Sequence, residues 1–378
     1  MTPTGLRRRD VIEGAALAGA TAPLAGLFQA AAAGAATPGA GPAGMIASLT
    51  DAVYINANEN PLGPCPDALA VLKQVPALSG RYGMALSGQL AALFARQNGL
   101  SADCVAVYPG SFVPLRAAGL AFSSAERPVA YHEPTFDNGF IGSDGKPLTG
   151  VVALPRDAAG HGSLGALLAA APQAGIYYLC NPNNPTGTIT PRTEIEALLA
   201  NKPAGAILLV DEAYIHYSEA QTCLDLVARG ADVLVLRTFS KIYGLAGLRI
   251  GLVAGRPDLL ARLTRYAENF PPMPAVLAAT ASLLDPALVP ARRAENARVR
   301  AGVERWLAAR GIRYMPSAAS FMMVHVGRPG EQVQAALARE GVVISGPRKH
   351  MADWVRISIG TAAEMERFKA AFAKVMGG

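Results

Sequence analysis

The sequence predicts an α/β protein, a three-layer sandwich with a mainly parallel sheet, accompanied by a smaller α+β domain. Short apolar runs, of the length and composition of buried strands, alternate with segments of helical spacing. This alternation is typical of βαβ units. The chain has 378 residues, of which 51% are hydrophobic, so it can bury a large core. It is too long for one simple compact domain, and we therefore expect a large domain and a smaller one.

Each predicted element depends on its own stretch of sequence. Apolar and β-branched runs that are too short for helices predict buried strands, and apolar residues at helical spacing predict helices. The predicted strands are 128–131, 175–180, 206–210, 232–237, 250–254, 321–326 and 354–360. The predicted helices are 66–74, 87–98, 257–267, 287–310 and 361–375. The sequence shows no internal repeat.

Charge and cysteine content argue against several classes of protein. The formal net charge is +6, but the basic residues are scattered and do not alternate with aromatic ones, so we expect no nucleic-acid partner. The cysteines, Cys65, Cys104, Cys180 and Cys223, lie far apart and form no C-x-x-C pair. This spacing supports neither a zinc site nor a disulfide framework. We therefore predict no metal and expect the thiols to be small buried side chains.

Residues 1–44 differ in composition from the rest of the chain. Arg8 and Arg9 precede an apolar Ala- and Gly-rich stretch over 11–36, and linker-like residues follow at 37–42. A charged start, an apolar middle and small residues are the layout of an export signal, and the arginine pair resembles a twin-arginine signal. We expect a periplasmic or otherwise exported protein, with a cytoplasmic one as the alternative. Because the stretch is only mildly hydrophobic, we expect no stable membrane association.

The loop after the predicted strand 232–237 carries the most informative group of side chains. Lys241 lies just past that strand, beside the hydroxyls of Thr238 and Ser240, and Arg249 follows. A lysine amine can form a Schiff base with an aldehyde. Hydroxyls and a guanidinium can hold a phosphate, the guanidinium in bidentate fashion. The loop therefore suits a cofactor that has an aldehyde at one end and a phosphate nearby.

This loop resembles the Schiff-base segment of fold-type I pyridoxal-phosphate aminotransferases of class I/II. It is most similar to the branch that includes histidinol-phosphate aminotransferase, which commonly has T-x-S-K-x-x-x-L-A-G-L-R-x-G, and residues 238–251 match that pattern. The resemblance covers nearly everything after residue 50. It implies pyridoxal 5'-phosphate as cofactor, an aspartate-aminotransferase-like large domain over 80–274, a small domain made of 45–79 and 275–378, and a homodimer.

Two further motifs follow predicted strands, at the carboxyl ends where open α/β sheets place ligands. Asn184 lies in an N-P-T-G motif after strand 175–180, and Asp211 and Tyr214 lie in a D-E-x-Y motif after strand 206–210. The resemblance implies that Asn184 and Tyr214 bind the ring oxygen of the cofactor. It places Asp211 against the protonated pyridine nitrogen, where the charge pair keeps the ring cationic and a better electron sink.

Other cofactor contacts match the family pattern less closely. Gly110 and Ser111 lead into a helix, whose N-terminal N–H groups can bind phosphate, although the polar side chains that the family has next are absent. Phe136 stands where the family has a tyrosine over the pyridine ring, and phenylalanine can stack in the same way. Tyr82 matches a tyrosine that reaches the cofactor phosphate of the partner subunit, with Gly83 in place of the family's proline.

Two segments predict substrate binding. Arg356 lies in an R-I-S-x-G segment whose arginine, by the resemblance, binds the substrate α-carboxylate, and a guanidinium fits that planar group. Asn60 lies in an N-E-N-P-x-G-P segment, and the resemblance implies that it also binds substrate. Leu62, Phe136 and Ser320 depart from the family pattern near this pocket.

The resemblance implies amino transfer by double displacement between an L-amino acid, or histidinol phosphate, and a 2-oxo acid such as 2-oxoglutarate. Lys241 would hold the cofactor as a Schiff base and move the α-proton. The three departures and the export signal give a general or aromatic amino acid nearly the same weight as histidinol phosphate. The alternative reaction is decarboxylation, or other lyase chemistry, on the same cofactor. A non-catalytic cofactor-binding regulator is disfavoured, because residues 1–44 cannot form a DNA-binding helix-turn-helix.

Overall fold

The structure of the protein is a computed structural model that describes Pro42, Ala47 and residues 49–377. The predicted export segment, residues 1–44, lies outside the described residues apart from Pro42. Among the described residues, no single helix is both long and apolar enough to cross a membrane. Met273–Leu284 and Leu288–Ala308 pass such a test only together, as a pair bent by 84°.

Strands and helices alternate along most of the described chain. The strands are β1 (Val53–Ile55), β2 (Val105–Tyr108), β3 (Val129–Glu133), β4 (Val151–Pro155), β5 (Ile176–Cys180), β6 (Ile207–Asp211), β7 (Val233–Thr238), β8 (Gly251–Ala254), β9 (Phe321–His325), β10 (Val342–Ile344) and β11 (Trp354–Ser358). The helices are α1 (Pro66–Gln74), α2 (Leu86–Gln97), α3 (Phe112–Phe122), α4 (Leu164–Ala170), α5 (Arg192–Asn201), α6 (Leu224–Ala228), α7 (Pro257–Leu263), α8 (Met273–Leu284), α9 (Leu288–Ala308), α10 (Gly330–Arg339) and α11 (Ala362–Met376). Each predicted strand and helix is present, with small shifts at its ends.

The larger sheet has the strand order β2-β8-β7-β6-β5-β3-β4. Neighbours among β3, β4, β5, β6 and β7 are parallel, whereas β8 is antiparallel to both β7 and β2. The register pairs Cys180 with Asp211, so β5 and β6 end at the same level. The predicted α/β fold with a mainly parallel sheet is confirmed, and the carboxyl ends of its parallel strands share one edge.

Apolar layers cover both faces of this sheet. Along β6, Leu208 and Val210 pack into one buried cluster, and Ile207 and Leu209 pack into another, because successive side chains of a strand point to opposite faces. The first cluster includes side chains of α1, α2, α4, α5, α6 and α8, and the second includes side chains of α3 and α7. Helices on both sides of the sheet give the three layers that the sequence predicts.

The small domain has a core of its own. β1 pairs with β10 in parallel, and β9 pairs with β11 in antiparallel fashion. An isolated antiparallel bridge between Ser345 and Arg356 connects these two pairs. The buried cluster of this domain includes Val303 of α9, Val333 of α10 and Phe368 of α11.

Two helices pack outside the domain to which the predicted division assigns them. That division gives residues 45–79 and 275–378 to the small domain. Ala68 of α1 and Val276 of α8 belong instead to the buried cluster of the large domain, and the two helices pack against each other. The reason is that α8 is apolar almost throughout, so it needs apolar neighbours on more than one side. Within the predicted small-domain segment 45–79, β1 does lie in the small domain.

Candidate active site

The parallel strands bring the predicted cofactor residues to one edge of the central sheet. Asp211 is the last residue of β6, Thr238 is the last residue of β7, and Asn184 lies in the loop after β5. Lys241 follows in the turn after β7. Because the register aligns the ends of these strands, side chains from three separate motifs lie at the same edge, as expected for open α/β sheets.

The Lys241 amine lies in a partly buried position between the two domains. Its Nζ donates a hydrogen bond to the carbonyl oxygen of Ala57 at 3.0 Å and lies 5.8 Å from the centre of the Tyr214 ring. Burial lowers the pKa of Lys241 to about 8, and the nearby positive charges of Arg356 and Arg249 act in the same direction. An amine that loses its proton this readily can serve as a nucleophile and as a general base near neutral pH.

Asp211 is a buried carboxylate with few partners. The Ala213 N–H donates to its Oδ1 at 3.0 Å, and the Tyr178 hydroxyl lies 3.5 Å from its Oδ2. Burial raises the pKa of Asp211 to about 6, although these hydrogen bonds and Lys241 oppose the effect. Asp211 forms no salt bridge with another residue of the described chain, so a cationic ligand would stabilise its charged form.

Thr238, Ser240 and Arg249 form one side of a cup that suits a phosphate. Thr238 Oγ1 donates to Ser240 Oγ at 2.9 Å and accepts from the Ser240 N–H at 3.0 Å. Arg249 Nη1 donates to Ser240 Oγ at 3.3 Å. Arg249 has a φ of 60°, a left-handed backbone that side chains rarely adopt and that is often found at functional sites.

The other side of the cup is the N-terminus of α3. Ser111 is the residue immediately before this helix, so the first N–H groups of the helix have no partner within it. Gly110 has a φ of +84°, and a Cβ atom there would lie 2.3 Å from Arg249 Nη2. The absence of a side chain at Gly110 therefore allows the arginine to lie against the backbone of the cup.

A small polar network holds Tyr214 at the same edge. Its hydroxyl accepts a hydrogen bond from Asn58 Nδ2 at 3.0 Å, and its ring meets Phe321 edge to face with centres 4.9 Å apart. Asn58 is buried, has a φ of 55°, and is tied to Ser358 of β11 by bonds of 2.8 and 3.1 Å. Asn58 belongs to the N-E-N-P motif, but the motif alone does not reveal this contact.

Phe136 lies beside the start of α3. Its ring meets Phe112 edge to face, with centres 6.5 Å apart. Its carbonyl oxygen accepts a hydrogen bond from the Tyr178 hydroxyl at 2.9 Å, and the same hydroxyl is near Asp211. Tyr178 thus links the loop of Phe136 to the end of β6, a connection that sequence analysis did not find because Tyr178 is one of several apolar-strand residues in β5.

Arg356 is the small domain's contribution to this edge. It is only 6% exposed. Its Nη1 donates to Asn184 Oδ1 at 2.6 Å and its Nη2 to the Asn56 carbonyl at 2.8 Å, while its buried Nε has no partner in the described chain. Burial lowers the pKa of Arg356, and the positive charge of Arg348 adds to this effect. The guanidinium retains a free donor that an anionic ligand could use.

Two residues predicted to bind cofactor or substrate make contacts of a different kind in the structure. Tyr82 is 77% exposed, with its ring against Phe270 at a centre distance of 5.7 Å. The Asn60 side chain donates to the Ile242 carbonyl at 2.9 Å and accepts from the Leu62 N–H at 3.0 Å. Asn60 therefore ties its own loop to the residue after Lys241, and its part in substrate binding stays a prediction.

Within this edge, an amine, a buried carboxylate and an anion-binding cup lie together. An aromatic ligand with an aldehyde, a cationic ring nitrogen and a phosphate would satisfy all three. The uncompensated carboxylate of Asp211 and the space kept free at Gly110 are the features that support this fit.

The chain belongs to a known family. Residues 51–372 match the model of the family described as aminotransferase class I and II, so the chain is a member of that family. It is 32% identical over 339 residues to "Histidinol-phosphate aminotransferase 2" of Methylococcus capsulatus, covering 87% of this chain and 91% of that protein. It is 34% identical over 331 residues to "Histidinol-phosphate aminotransferase 1" of Nitrosococcus oceani, covering 84% and 87%.

A solved structure has the same fold. The crystal structure of histidinol-phosphate aminotransferase from Sinorhizobium meliloti in complex with pyridoxal-5'-phosphate has a TM-score of 0.76 and 26% identity to this chain. The similarity covers 89% of this chain and 95% of that one. The predicted membership in the class I/II aminotransferases is thereby confirmed.

Proposed function

We propose that this chain moves an amino group between an L-amino acid, or histidinol phosphate, and a 2-oxo acid such as 2-oxoglutarate. Its family is that of class I and II aminotransferases, and pyridoxal phosphate is the cofactor, as in the Sinorhizobium meliloti relative. The observation that carries the proposal is the meeting of Lys241, Asp211 and the Arg249 cup at one edge of the sheet, with the pKa of Lys241 lowered to about 8.

The cofactor-binding residues divide by the part of the cofactor that they would hold. Gly110, Ser111, Thr238, Ser240 and Arg249 would bind the phosphate. Asp211 would face the ring nitrogen, Asn184 and Tyr214 the ring oxygen, and Phe136 one face of the ring. When bound, pyridoxal phosphate supplies an aldehyde carbon and an electron-accepting ring that stabilises negative charge at the substrate α-carbon.

Lys241 would perform the proton transfers. Its Nζ lies among the predicted cofactor-binding residues, and burial favours its neutral form. A neutral amine could take the substrate α-proton and deliver it to the former aldehyde carbon of the cofactor, which lies on the other side of the transferred nitrogen. The hydrogen bond to the Ala57 carbonyl shows that Nζ can be oriented by the N-terminal loop of the small domain.

Arg356 would orient the substrate. A buried guanidinium binds a carboxylate in bidentate fashion, and its position is fixed here by Asn184 and the Asn56 carbonyl. Holding the α-carboxylate on Arg356 would place the α-carbon on the side of the site where Lys241 lies, because Arg356 and Lys241 donate to the neighbouring carbonyls of Asn56 and Ala57. Proximity of this kind supplies much of the rate of two-substrate enzymes.

The amino donor is proposed from the relatives and from three departures. The similarity to histidinol-phosphate aminotransferases favours histidinol phosphate. Leu62, which is 50% exposed, Phe136, and the buried Ser320 replace residues of the family pattern near the pocket. Those changes favour a general or aromatic amino acid to nearly the same degree.

We also propose a homodimer and export. Tyr82 and Phe270 are exposed large aromatic side chains in contact, and a second copy of the chain would cover them while Tyr82 reached the partner's cofactor phosphate. Sedimentation that shows only a monomer would contradict the dimer.

The arginine pair and apolar stretch of residues 1–44 support twin-arginine export without stable membrane association. Recovery of the protein from the cytoplasm alone would contradict export.

The function is tested by an absorbance titration. The purified protein with pyridoxal phosphate should show the visible band of a lysine-bound cofactor, and a panel of L-amino acids and histidinol phosphate should convert it to the near-ultraviolet band of the aminated form. Lys241→Ala should abolish turnover, a loss of at least about 10⁴-fold, because the same amine attaches the cofactor and moves the proton. A wild-type protein without the visible band, or with a band that no donor changes, would overturn the proposal.

A further inference from the structure

The long helix α9 packs into both domains. Leu288, its first residue, lies in the buried cluster of the large domain, whereas Val303 and Leu307 lie in that of the small domain. One continuous helix therefore runs from one domain into the other. Arg292 lies on the first half of this helix, and only 7% of it is exposed.

The guanidinium of Arg292 joins two loops of the active site. Its Nη1 donates to the Ile242 carbonyl at 2.9 Å, and its Nη2 donates to the Gly63 carbonyl at 2.7 Å. Ile242 is the residue after Lys241. Gly63 lies in the loop between β1 and α1, together with Ala57, whose carbonyl accepts from the Lys241 amine. Arg292 thus holds both the turn that carries the amine and the loop that the amine contacts.

Two further contacts make this junction tight. Asn60 Nδ2, from the same loop as Gly63, also donates to the Ile242 carbonyl, at 2.9 Å, so both acceptor sites of that oxygen are occupied. Gly244 has a φ of +70°, and a Cβ atom there would overlap with the Gly63 carbonyl oxygen and lie 3.0 Å from Arg292 Nη1. The two loops are therefore in direct backbone contact, and Arg292 bridges them.

Arg292 makes these contacts without a carboxylate partner. It forms no salt bridge within residues 49–377, whereas the next arginine, Arg293, pairs with Glu219 at 2.9 Å. Burial lowers the pKa of Arg292. A buried guanidinium that lacks a carboxylate is costly, so its position is explained by the two carbonyl contacts and not by charge pairing.

We propose that Arg292 is a positioning residue for Lys241. Through the Ile242 carbonyl it fixes the turn that carries the amine, and through the Gly63 carbonyl it holds the loop against which the amine lies. Because α9 continues into the small domain, which supplies Arg356, the same contacts fix the amine relative to the substrate-binding arginine. This inference rests on the proposed function, because Lys241 and Arg356 act together only in that reaction.

The first test uses cofactor-free protein and needs no turnover. Lys241 is labelled at a series of pH values with brief pulses of acetic anhydride, and the modified peptide is quantified by mass spectrometry. In wild type, the midpoint of labelling should lie near the pKa of about 8 that burial gives this amine. In Arg292→Gln, the loosened turn should let the amine reach water, so the midpoint should rise toward the ordinary lysine value of about 10.4.

The second test uses the enzyme loaded with pyridoxal phosphate and the donor that converts the cofactor band fastest in wild type. The rate at saturating donor should fall about 100-fold in Arg292→Gln, the scale of loss when a reacting group is displaced by about 1 Å. The donor concentration for half the maximal rate should change little, because the contacts of Arg356 with Asn184 and the Asn56 carbonyl remain. A variant that is only unstable would not separate rate from binding in this way.

Three further variants separate positioning from charge and from stability. Arg292→Lys keeps the positive charge and should recover part of the rate. Arg300→Gln is the matched control, because Arg300 lies on the same helix and donates to a backbone carbonyl, that of Ala319, at 2.9 Å. It should keep the wild-type labelling midpoint. Asn60→Ala removes the other donor to the Ile242 carbonyl and should raise the midpoint as Arg292→Gln does, by a smaller amount.

The outcomes distinguish this inference from the proposed function. Equal labelling midpoints in Arg292→Gln and Arg300→Gln, or a loss in Arg292→Gln confined to donor affinity, would overturn the positioning role. If Arg292→Gln does not fold, an Asn60→Ala midpoint equal to that of wild type overturns it. A wild-type enzyme whose cofactor band no donor changes would overturn the proposed function instead, and the labelling of cofactor-free protein would still decide whether Arg292 positions the amine.

Discussion

The two halves of the site are built in different ways. In the loop after β7 of the large domain, the contacts among the phosphate-cup side chains are local: Ser240 bonds Thr238 two residues away, and Arg249 bonds Ser240 nine residues away. At the edge of the small domain, contacts are long-range: Arg356 bonds Asn184 across 172 residues and Asn56 across 300. The Thr238–Arg249 loop of the cofactor half is therefore prearranged by a short stretch of chain, whereas the substrate half depends on how the two domains meet.

This difference matters for function as well as for folding. Local contacts form with little loss of chain entropy, so a motif can specify them. The long-range contacts of Arg356 exist only when β11, the Asn56 loop and the Asn184 loop are assembled. We expect changes in the large-domain half to alter cofactor chemistry or affinity and changes in the small-domain half to alter substrate selection.

The largest effect after loss of the lysine should come from Asp211→Asn. The substitution keeps the size of the side chain and removes its charge, so the ring nitrogen of the bound cofactor would lose its counterion. We expect kcat/KM to fall about 10²- to 10³-fold, the range seen when one preorganised electrostatic group is removed from an active site. Steady-state kinetics with saturating pyridoxal phosphate measures it.

Asp211→Glu is the matched control, because it keeps the charge at a slightly different position. It should lose much less activity than Asp211→Asn. Equal losses in the two variants would show that position rather than charge is what matters, and the large-domain half would then not work as described.

Asp211 should also make the stability of the cofactor-free protein depend on pH. Burial raises its pKa to about 6, above the value of about 3.9 in an unfolded chain. The folded state therefore binds this proton more tightly. The proton bound to Asp211 stabilises the folded state fully below a pH of about 4, and this stabilisation is lost as the pH rises through about 6. At pH 7 the cost is on the order of 2–3 kcal/mol.

Urea unfolding of the cofactor-free wild type and Asp211→Asn between acid and neutral pH measures this cost. The variant should gain stability relative to wild type as the pH rises, and bound pyridoxal phosphate should reduce the difference because its cationic ring favours the charged carboxylate. If the difference in stability between the two proteins does not change with pH, burial does not raise the pKa of Asp211.

The sequence predicts the local half of the site well because motifs and strand ends coincide there. Lys241, Asp211 and Asn184 each follow an apolar run whose length and composition predict a buried strand. Parallel strands then bring the three together without further information. The central strands are buried on both faces, which is why their apolar runs are continuous and easily found.

Other features depend on tertiary contacts that no short window contains. β1 and β10 have three residues each and pair only with each other, and β4 is a partly exposed edge strand, so sequence analysis missed all three. Asn58 is defined by its bond to Tyr214, and Arg348 by a turn that returns to Ser345. Such residues can be recognised only when the partner segment is in place.

The smallest predicted effect tests whether Gly110 is needed for the phosphate cup or only for its left-handed backbone. In Gly110→Ala, the added Cβ would lie 2.3 Å from Arg249 Nη2, so the guanidinium has to move out of the cup. We expect the dissociation constant for pyridoxal phosphate to rise about tenfold, as for loss of one charge-assisted hydrogen bond. Fluorescence or absorbance titration of cofactor-free protein measures it.

Gly230→Ala is the control that the chain itself provides. Gly230 has a φ of +74°, close to the +84° of Gly110, but no atom lies within 4 Å of the position of its missing Cβ. Both variants should lose about 1 kcal/mol of stability, since a side chain in a left-handed backbone is strained in either place. Only Gly110→Ala should lose cofactor affinity. Equal affinities in the two variants would show that the contact between Gly110 and Arg249 is not needed to bind the phosphate, and that the local half of the site is held together by Thr238 and Ser240 instead.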